Sequence, residues 1–191
     1  NEYRQENKDS SFIADFSLTR GYQSSSSNKK NSISHLFAKF NSDLGFNSFI
    51  KSDLLISVQK VSNDTYLKVF DTNLSENEMK PADPNNLTSE LKLSLDHEKY
   101  DLTAGLQSFE NLGLANNDRY QYILPYYNFN KNIDLSSFVN GQINFSSTGS
   151  NNLNNTNNLK TRVVNDLEYR GNEIISDQGF VSKFNIYLKN L

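Results

Sequence analysis

The chain contains no cysteine, so it has neither a disulfide staple nor a thiolate metal site. That absence leaves the compartment open, because many exported proteins also lack disulfides. Glycine (8) and proline (3) are scarce among the 191 residues. Asparagine and serine must therefore make most turns, which they can do through local side-chain hydrogen bonds and tolerance of the left-handed region. No run of roughly 18 apolar residues occurs, so no transmembrane helix is expected. The formal net charge of −3 is too small for a polyanion-binding surface, and nucleic acid is not an expected partner. The opening Asn1-Glu2-Tyr3-Arg4 lacks Met and has no signal-peptide pattern, so the chain is read as an internal fragment.

Hydrophobic residues make up only 36% of the chain, yet aromatic residues reach 12%, with 13 Phe and 10 Tyr. A disordered chain is poor in aromatics. This balance suits a protein with one apolar and one polar face throughout.

Alternation with a period of two carries that pattern. Leu87, Ser89, Leu91, Leu93 and Leu95 alternate with Thr88, Glu90, Lys92, Ser94 and Asp96. After the turn Asp96-His97-Glu98-Lys99, Tyr100, Leu102, Ala104 and Leu106 alternate with Asp101, Thr103, Gly105 and Gln107. That is an antiparallel hairpin. A first strand places Phe12, Ala14, Phe16, Leu18 and Tyr22 on one face. A second spans about Ser32 to Phe40, and a third carries Phe46, Ile50, Leu54, Ile56 and Val58. A sixth segment has Tyr120, Tyr122, Leu124 and Tyr126 on one face, and a seventh has Leu135, Val139, Ile143 and Phe145. The eighth opposes Thr161, Val163, Leu167 and Tyr169 to Arg162, Asp166, Glu168 and Arg170. The ninth has Phe180, Phe184, Ile186 and Leu188. The expectation is an all-β, antiparallel up-and-down meander of about nine long strands, each long enough for a tilted bilayer crossing of about nine to eleven residues.

The connections are expected to alternate in length. Residues 23–31, 61–86, 110–117 and 148–158 read as long, and 41–45, 96–99, 130–133 and 170–172 as short. Outer-membrane barrels do this, with short periplasmic turns and longer extracellular loops. A soluble sandwich with crossover connections would scramble the order.

Candidate chemistry is thin. His35 lies in a strand and His97 in a turn, without neighbours spaced as metal ligands. Asp71, Asn73 and Ser75 resemble the start of a calcium loop, but Glu76 and Ala82 stand where Gly and a bidentate Glu belong. Asp166 and Glu168 share a strand face, a spacing open to acid–base work but equally that of a polar barrel lumen. No nucleophile elbow or phosphate loop occurs. No catalytic set, metal or cofactor is expected, and the chain is not expected to be an enzyme. Tyr100, Tyr120, Tyr122, Tyr126, Tyr127 and Tyr187 fall in or near strand ends, as an interfacial girdle or as ordinary strand-forming residues.

Several segments resemble a known family. Asn63-Asp64-Thr65-Tyr66-Leu67-Lys68-Val69-Phe70-Asp71 is followed by Asp118-Arg119-Tyr120-Gln121-Tyr122-Ile123-Leu124-Pro125-Tyr126-Tyr127. Then come Gly141-Gln142-Ile143-Asn144-Phe145, an Asn-rich loop, and Thr161-Arg162-Val163-Val164-Asn165-Asp166-Leu167. In order and spacing this set resembles the barrel domain of the LPS-assembly outer-membrane proteins (the LptD or OstA family).

The resemblance implies a place in the cell outer membrane of a Gram-negative bacterium and a role in moving lipopolysaccharide to the outer leaflet. The implied partners are lipopolysaccharide, a lipoprotein plug inside the barrel, the periplasmic bridge proteins and membrane lipid. The family's gate strands carry prolines, whereas the prolines here are Pro81, Pro84 and Pro125, none in the first strands. The family's periplasmic jellyroll and its disulfide cysteines have no counterpart here. Residues 1–191 are therefore read as a partial outer-membrane β-barrel domain, without the N-terminal periplasmic domain and the remaining strands.

An outward face with Leu91, Leu93, Leu102, Leu106, Ile143, Phe184 and Ile186 is expected to meet lipid. A polar wall of Thr103, Gln107, Gln121, Gln142, Asn144, Arg162 and Asp166 is expected to line the lumen. Replacing Leu102 with Arg is expected to cost about 2–4 kcal/mol if Leu102 lies near midplane. Phe12–Tyr22 and Phe180–Leu188 are expected to pair with strands outside the chain. The competing readings are another outer-membrane barrel, such as a porin-like channel or a barrel enzyme, and a soluble or surface-exposed β adhesin.

Overall fold

The computed structural model describes residues 2–23, 30–70, 74, 78–135 and 141–190. Twelve strands follow in order: β1 (Glu2–Glu6), β2 (Ser10–Gln23), β3 (Lys30–Asp43), β4 (Lys51–Val61), β5 (Asn86–His97), β6 (Tyr100–Asn111), β7 (Tyr120–Asp134), β8 (Gly141–Asn154), β9 (Asn158–Gly171), β10 (Ile174–Ile175), β11 (Val181–Ser182) and β12 (Asn185–Lys189). A single helical turn, α1 (Tyr66–Phe70), lies between β4 and β5, and a 3-10 turn (Asn116–Arg119) precedes β7. Ten strands form one sheet in the order β1-β2-β3-β4-β5-β6-β7-β8-β9-β12, and β10 and β11 pair separately. Every pairing is antiparallel. The sheet is open, with β1 and β12 at its edges.

The all-β meander is as expected, but several boundaries differ. Eight strands are long, and both edge strands have five residues. β1 was not expected; it covers Ser11 to Asp15 of β2, so that part of the first edge is paired within the chain. β7 runs through the expected turn at 130–133, and β8 starts only at Gly141. Asn128, Asn130 and Asn132 have turn-like composition, yet each stands opposite a polar residue of β8 (Thr148, Ser146, Asn144), where side-chain amides suit a wet strand face. Leu135 lies outside both strands, and Ser136 to Asn140 lie outside the described residues.

The expected long loop at 148–158 is strand except for a turn at 155–157. Asn155 (φ 54°) and Thr156 (φ 57°) occupy the left-handed region, which Asn tolerates better than most residues. Conversely, the expected short turn at 170–172 widens to residues 172–184, which contain the β10–β11 hairpin. The strict alternation of connection lengths therefore fails at these two places. The would-be calcium positions Asp71, Asn73, Ser75 and Glu76 lie outside the described residues, as does most of the 23–31 connection.

The ladder is staggered. The row containing Asp43 crosses Asp53, Ser94, Thr103, Asn128, Thr148 and Val164. β3 ends on that row, whereas β9 continues seven residues past it to Gly171. With about 3.3 Å per residue and about 4.8 Å between strands, the line of strand ends is inclined by about 40°.

Among the described residues one apolar core lies on the sheet, under residues 62–70, 74 and 78–85. It consists of Ile33, Phe37, Val61, Tyr66, Leu67, Leu74, Met79, Leu87 and Leu112, with Ile13 and Phe70 packed against it. Tyr66, Leu67, Leu74 and Met79 of the connection are all buried. Burying a side chain of this size contributes about 1.5–3 kcal/mol, so the connection is held down rather than draped in solvent.

The end of this segment is fixed by Asp83. Its Oδ1 accepts the Asn85 N–H at 2.8 Å, and its Oδ2 accepts the Asn86 side chain. These bonds lower the Asp83 carboxyl below its ordinary value, and Lys39 Nζ, 2.6 Å from Glu78 Oε2, does the same for Glu78. A carboxyl lowered in the folded state stabilises above its unfolded pKa, and that stability is lost as pH falls through the folded value. Amide protection at 78–86, the intrinsic exchange rate at each pH divided by the observed one, is therefore expected to be high at neutral pH and to fall as pH drops below the ordinary carboxylate range. Protection that does not fall across that interval contradicts this coupling.

Candidate membrane interface

The register assigns every strand residue to one of two faces. The first carries Phe12, Phe16, Leu36, Phe40, Leu54, Ile56, Leu91, Leu93, Leu102, Leu106, Phe129, Ile143, Phe145, Leu167 and Ile186 across β2 to β12. No second layer of described residues covers it. Leu91 and Leu106, paired at its centre, are each 39% exposed, Phe16 is 49% and Val163 56%. A run of exposed apolar side chains across nine strands far exceeds the scattered apolar residues of an ordinary soluble surface.

The seven residues expected to line a polar wall all lie on the second face. Thr103 and Gln107 of β6 stand with Gln121 of β7, Gln142 and Asn144 of β8, and Arg162 and Asp166 of β9. Glu90 organises the middle of this face, accepting from Gln107 Nε2 and from Tyr126 Oη, both at 2.8 Å. Asn130 donates to Asp101 at 2.8 Å. Glu168, weighed above with Asp166 for acid–base work, is clasped by Arg170 at 2.6 and 2.9 Å, and Asp166 accepts the Asn190 N–H at 3.2 Å. Both carboxylates have structural partners. Among the described residues no cluster of three or more acidic, His or Cys side chains could hold a metal ion, and no helix is long and apolar enough to cross a membrane.

Tyr126 shows where alternation misleads. It was grouped with Tyr120 and Tyr122, but the β6–β7 and β7–β8 registers both shift between Ile123 and Tyr126. Pro125 sits in that irregularity, where its missing N–H is tolerated. The shift turns Tyr126 to the polar face and gives Tyr127 the apolar one. Tyr187 also lies on the polar face, opposite Glu168. Neither Tyr126 nor Tyr187 belongs to a girdle on the apolar face.

Aromatic rings instead gather at one end of the apolar face. His97, placed in a turn by the sequence, ends β5 and stacks on Tyr100 with ring centroids 4.6 Å apart. Phe49 meets both rings at 5.9 and 6.1 Å, Tyr100 meets Phe129 at 5.9 Å, and Phe129 meets Phe145 at 6.3 Å. The opposite end of the sheet carries charge. Glu110 takes Lys60 at 2.8 Å and Arg119 at 2.7 Å, Arg119 also reaches Asp64 at 2.6 Å, and both cations lie over the Tyr120 ring at 5.9 and 5.8 Å. Tyr100 and Glu110 are the matching rim positions on β6. Their separation, at the inclination above, is about 25 Å across, close to the apolar band of outer-membrane barrels.

Glycine lets the rings lie flat on the ladder. A Cβ on Gly149 would fall 2.8 Å from Tyr127 Cζ, and one on Gly105 would fall 2.7 Å from Tyr126 Oη. Gly149→Val is expected to lower stability by about 1–3 kcal/mol through overpacking, read by urea unfolding. Restored stability in Gly149→Val with Tyr127→Ser would show that the ring is the obstacle.

Sequence reasoning missed a buried polar cluster beneath α1. His35 Nδ1 meets Tyr66 Oη at 2.6 Å, and Nε2 lies 3.3 Å from Asp15 Oδ1 without hydrogen-bond alignment. The His35 ring also stacks on Phe37 at 4.8 Å. Burial raises the Tyr66 phenol above its ordinary value, with Ser17 opposing as a hydrogen-bond donor and Asp15 reinforcing it, so Tyr66 is a neutral hydroxyl at neutral pH. The available signal was Ile13, Ile33 and Phe37, apolar residues on the polar face of β2 and β3.

No protein-family model matches this chain, and neither a curated protein nor a solved structure matches it.

Proposed function

We propose that this chain is a length of the wall of a transmembrane β-barrel in the outer membrane of a Gram-negative bacterium. The observation that carries this reading is the uncovered apolar face of a single staggered sheet. A soluble sheet must bury such a face against another layer, whereas lipid satisfies it directly. The inclination of about 40° is that of barrel strands, which tilt by roughly 35–45°. The aromatic row and the charged rim stand where headgroups would meet a band of this height. An adhesin needs a second layer over the apolar face, so it is the weaker reading.

The wall serves lipopolysaccharide assembly, with the polar face toward the glycolipid headgroup and a lipoprotein plug. This part rests on the ordered motifs from Asn63 to Leu167, together with a polar face rich in amides and hydroxyls such as Asn128, Asn144, Ser146 and Thr148. The chain supplies surface, not catalysis: lipid on one side, hydrated sugar on the other. The remaining strands, the periplasmic domain and the bridge proteins complete the transport route in the intact protein.

Two measurements test the reading. The intact protein is expected in the outer-membrane fraction, with heat-modifiable migration on gels. Depleting it is expected to remove lipopolysaccharide from the cell surface and to leave it in the inner membrane. A soluble protein defeats the wall. Membrane localisation with normal surface lipopolysaccharide after depletion defeats the assembly role and favours a channel.

A further inference from the structure

We propose that residues 62–70 and 78–85 form a fixed inward strap, a constriction built onto the polar face rather than a loop standing in solvent. What lies behind that face follows from the wall reading; that the strap is docked follows from its contacts alone.

The polar face is wet across β6 to β9, yet across β2 and β3 it presents Ile13, Ile33 and Phe37. Phe37 is 1% exposed because the strap covers it. An apolar patch on an otherwise hydrated wall is stable only under such a cover. The strap supplies matching chemistry: Leu67 is 2% and Met79 3% exposed. Polar contacts pin it at separate points. Tyr66 Oη meets His35 at 2.6 Å, Glu78 holds Lys39 at 2.6 Å, and the Met79 carbonyl accepts Gln59 Nε2 at 2.9 Å. Gln59 Oε1 also accepts the Thr88 N–H at 2.8 Å, where the β4–β5 ladder has already ended at Ser57 and Glu90. Gln59 of β4 thus ties Met79 of the strap to β5 at the end of the ladder. In a closed barrel it would occupy lumen on the side of the long connection, keeping that rim shut to bulky solutes while the polar wall of β6 to β9 stays open to a headgroup.

The absence of native cysteine permits a direct test in the full-length protein. Met79→Cys, under the strap, is expected to react with a bulky hydrophilic maleimide at least about tenfold more slowly than Ser146→Cys on the uncovered polar face. Equal rates would overturn the docking. For the constriction, Leu67→Asp combined with Met79→Asp undocks the strap and leaves every strand residue in place. Cells carrying this variant at normal outer-membrane levels are expected to admit a bulky hydrophilic dye severalfold faster. Unchanged entry, with the cysteine test showing a docked strap in the parent, would overturn the constriction. Failure of the wall reading would show differently, as loss of the full-length protein from the outer-membrane fraction, and the maleimide rates would still report on docking.

Discussion

Replacing Leu91 with Arg is expected to lower the stability of the bilayer-folded protein by about 2–4 kcal/mol. Leu91 pairs with Ile56 on one side and Leu106 on the other, in the middle of the apolar face. A guanidinium there must leave water for hydrocarbon or drag water with it, and either costs free energy. Leu102, the position named from sequence, lies only two residues from the rim residue Tyr100. Leu102→Arg can reach the headgroup level and is expected to cost about 0–1 kcal/mol. The difference is the diagnostic: urea titrations in phospholipid vesicles should rank Leu91→Arg well below Leu102→Arg. If both variants unfold at the parental midpoint, the apolar face does not meet lipid.

Phe37→Ala is expected to cost about 3–5 kcal/mol, although Phe37 sits on the face that is otherwise polar. Its ring is 1% exposed, stacks on His35, and lies beneath Tyr66 and Leu67. Truncation leaves a cavity that the strap cannot fill without breaking the Tyr66–His35 contact. Hydrogen exchange should localise the damage, with faster exchange in residues 62–70 and 78–85 and parental rates in β6 to β8. Destabilisation spread evenly over all strands would mean that the core under the strap is not a separate unit. A loss below about 1 kcal/mol would mean that the ring is not buried as described.

The sequence by itself determined the class of structure and the sorting of side chains on most strands. Alternation is local: adjacent side chains point to opposite faces of any extended strand. Leu87 to Asp96 and Tyr100 to Gln107 could therefore be sorted without knowing what they touch. All seven residues of the expected polar wall share one face for the same reason. Turn composition was less informative, because Asn both tolerates turns and suits a wet strand face. That ambiguity misplaced the boundaries at 130–133 and 148–158.

Tertiary structure alone decided the rest. The shift at Pro125 reversed Tyr126 and Tyr127, because a register is a relation between strands and no single strand encodes it. The aromatic row assembled from Phe49, the His97–Tyr100 pair at one hairpin turn, Phe129 and Phe145, four segments far apart in the chain and adjacent only once the strands pair. The strap was decided in the same way. Residues 61–86 read only as a long connection, and the burial of Tyr66, Leu67, Leu74 and Met79 within it depends on Ile13, Ile33 and Phe37 of strands that precede them. Local pattern sets which face a residue takes; only long-range packing sets what covers that face.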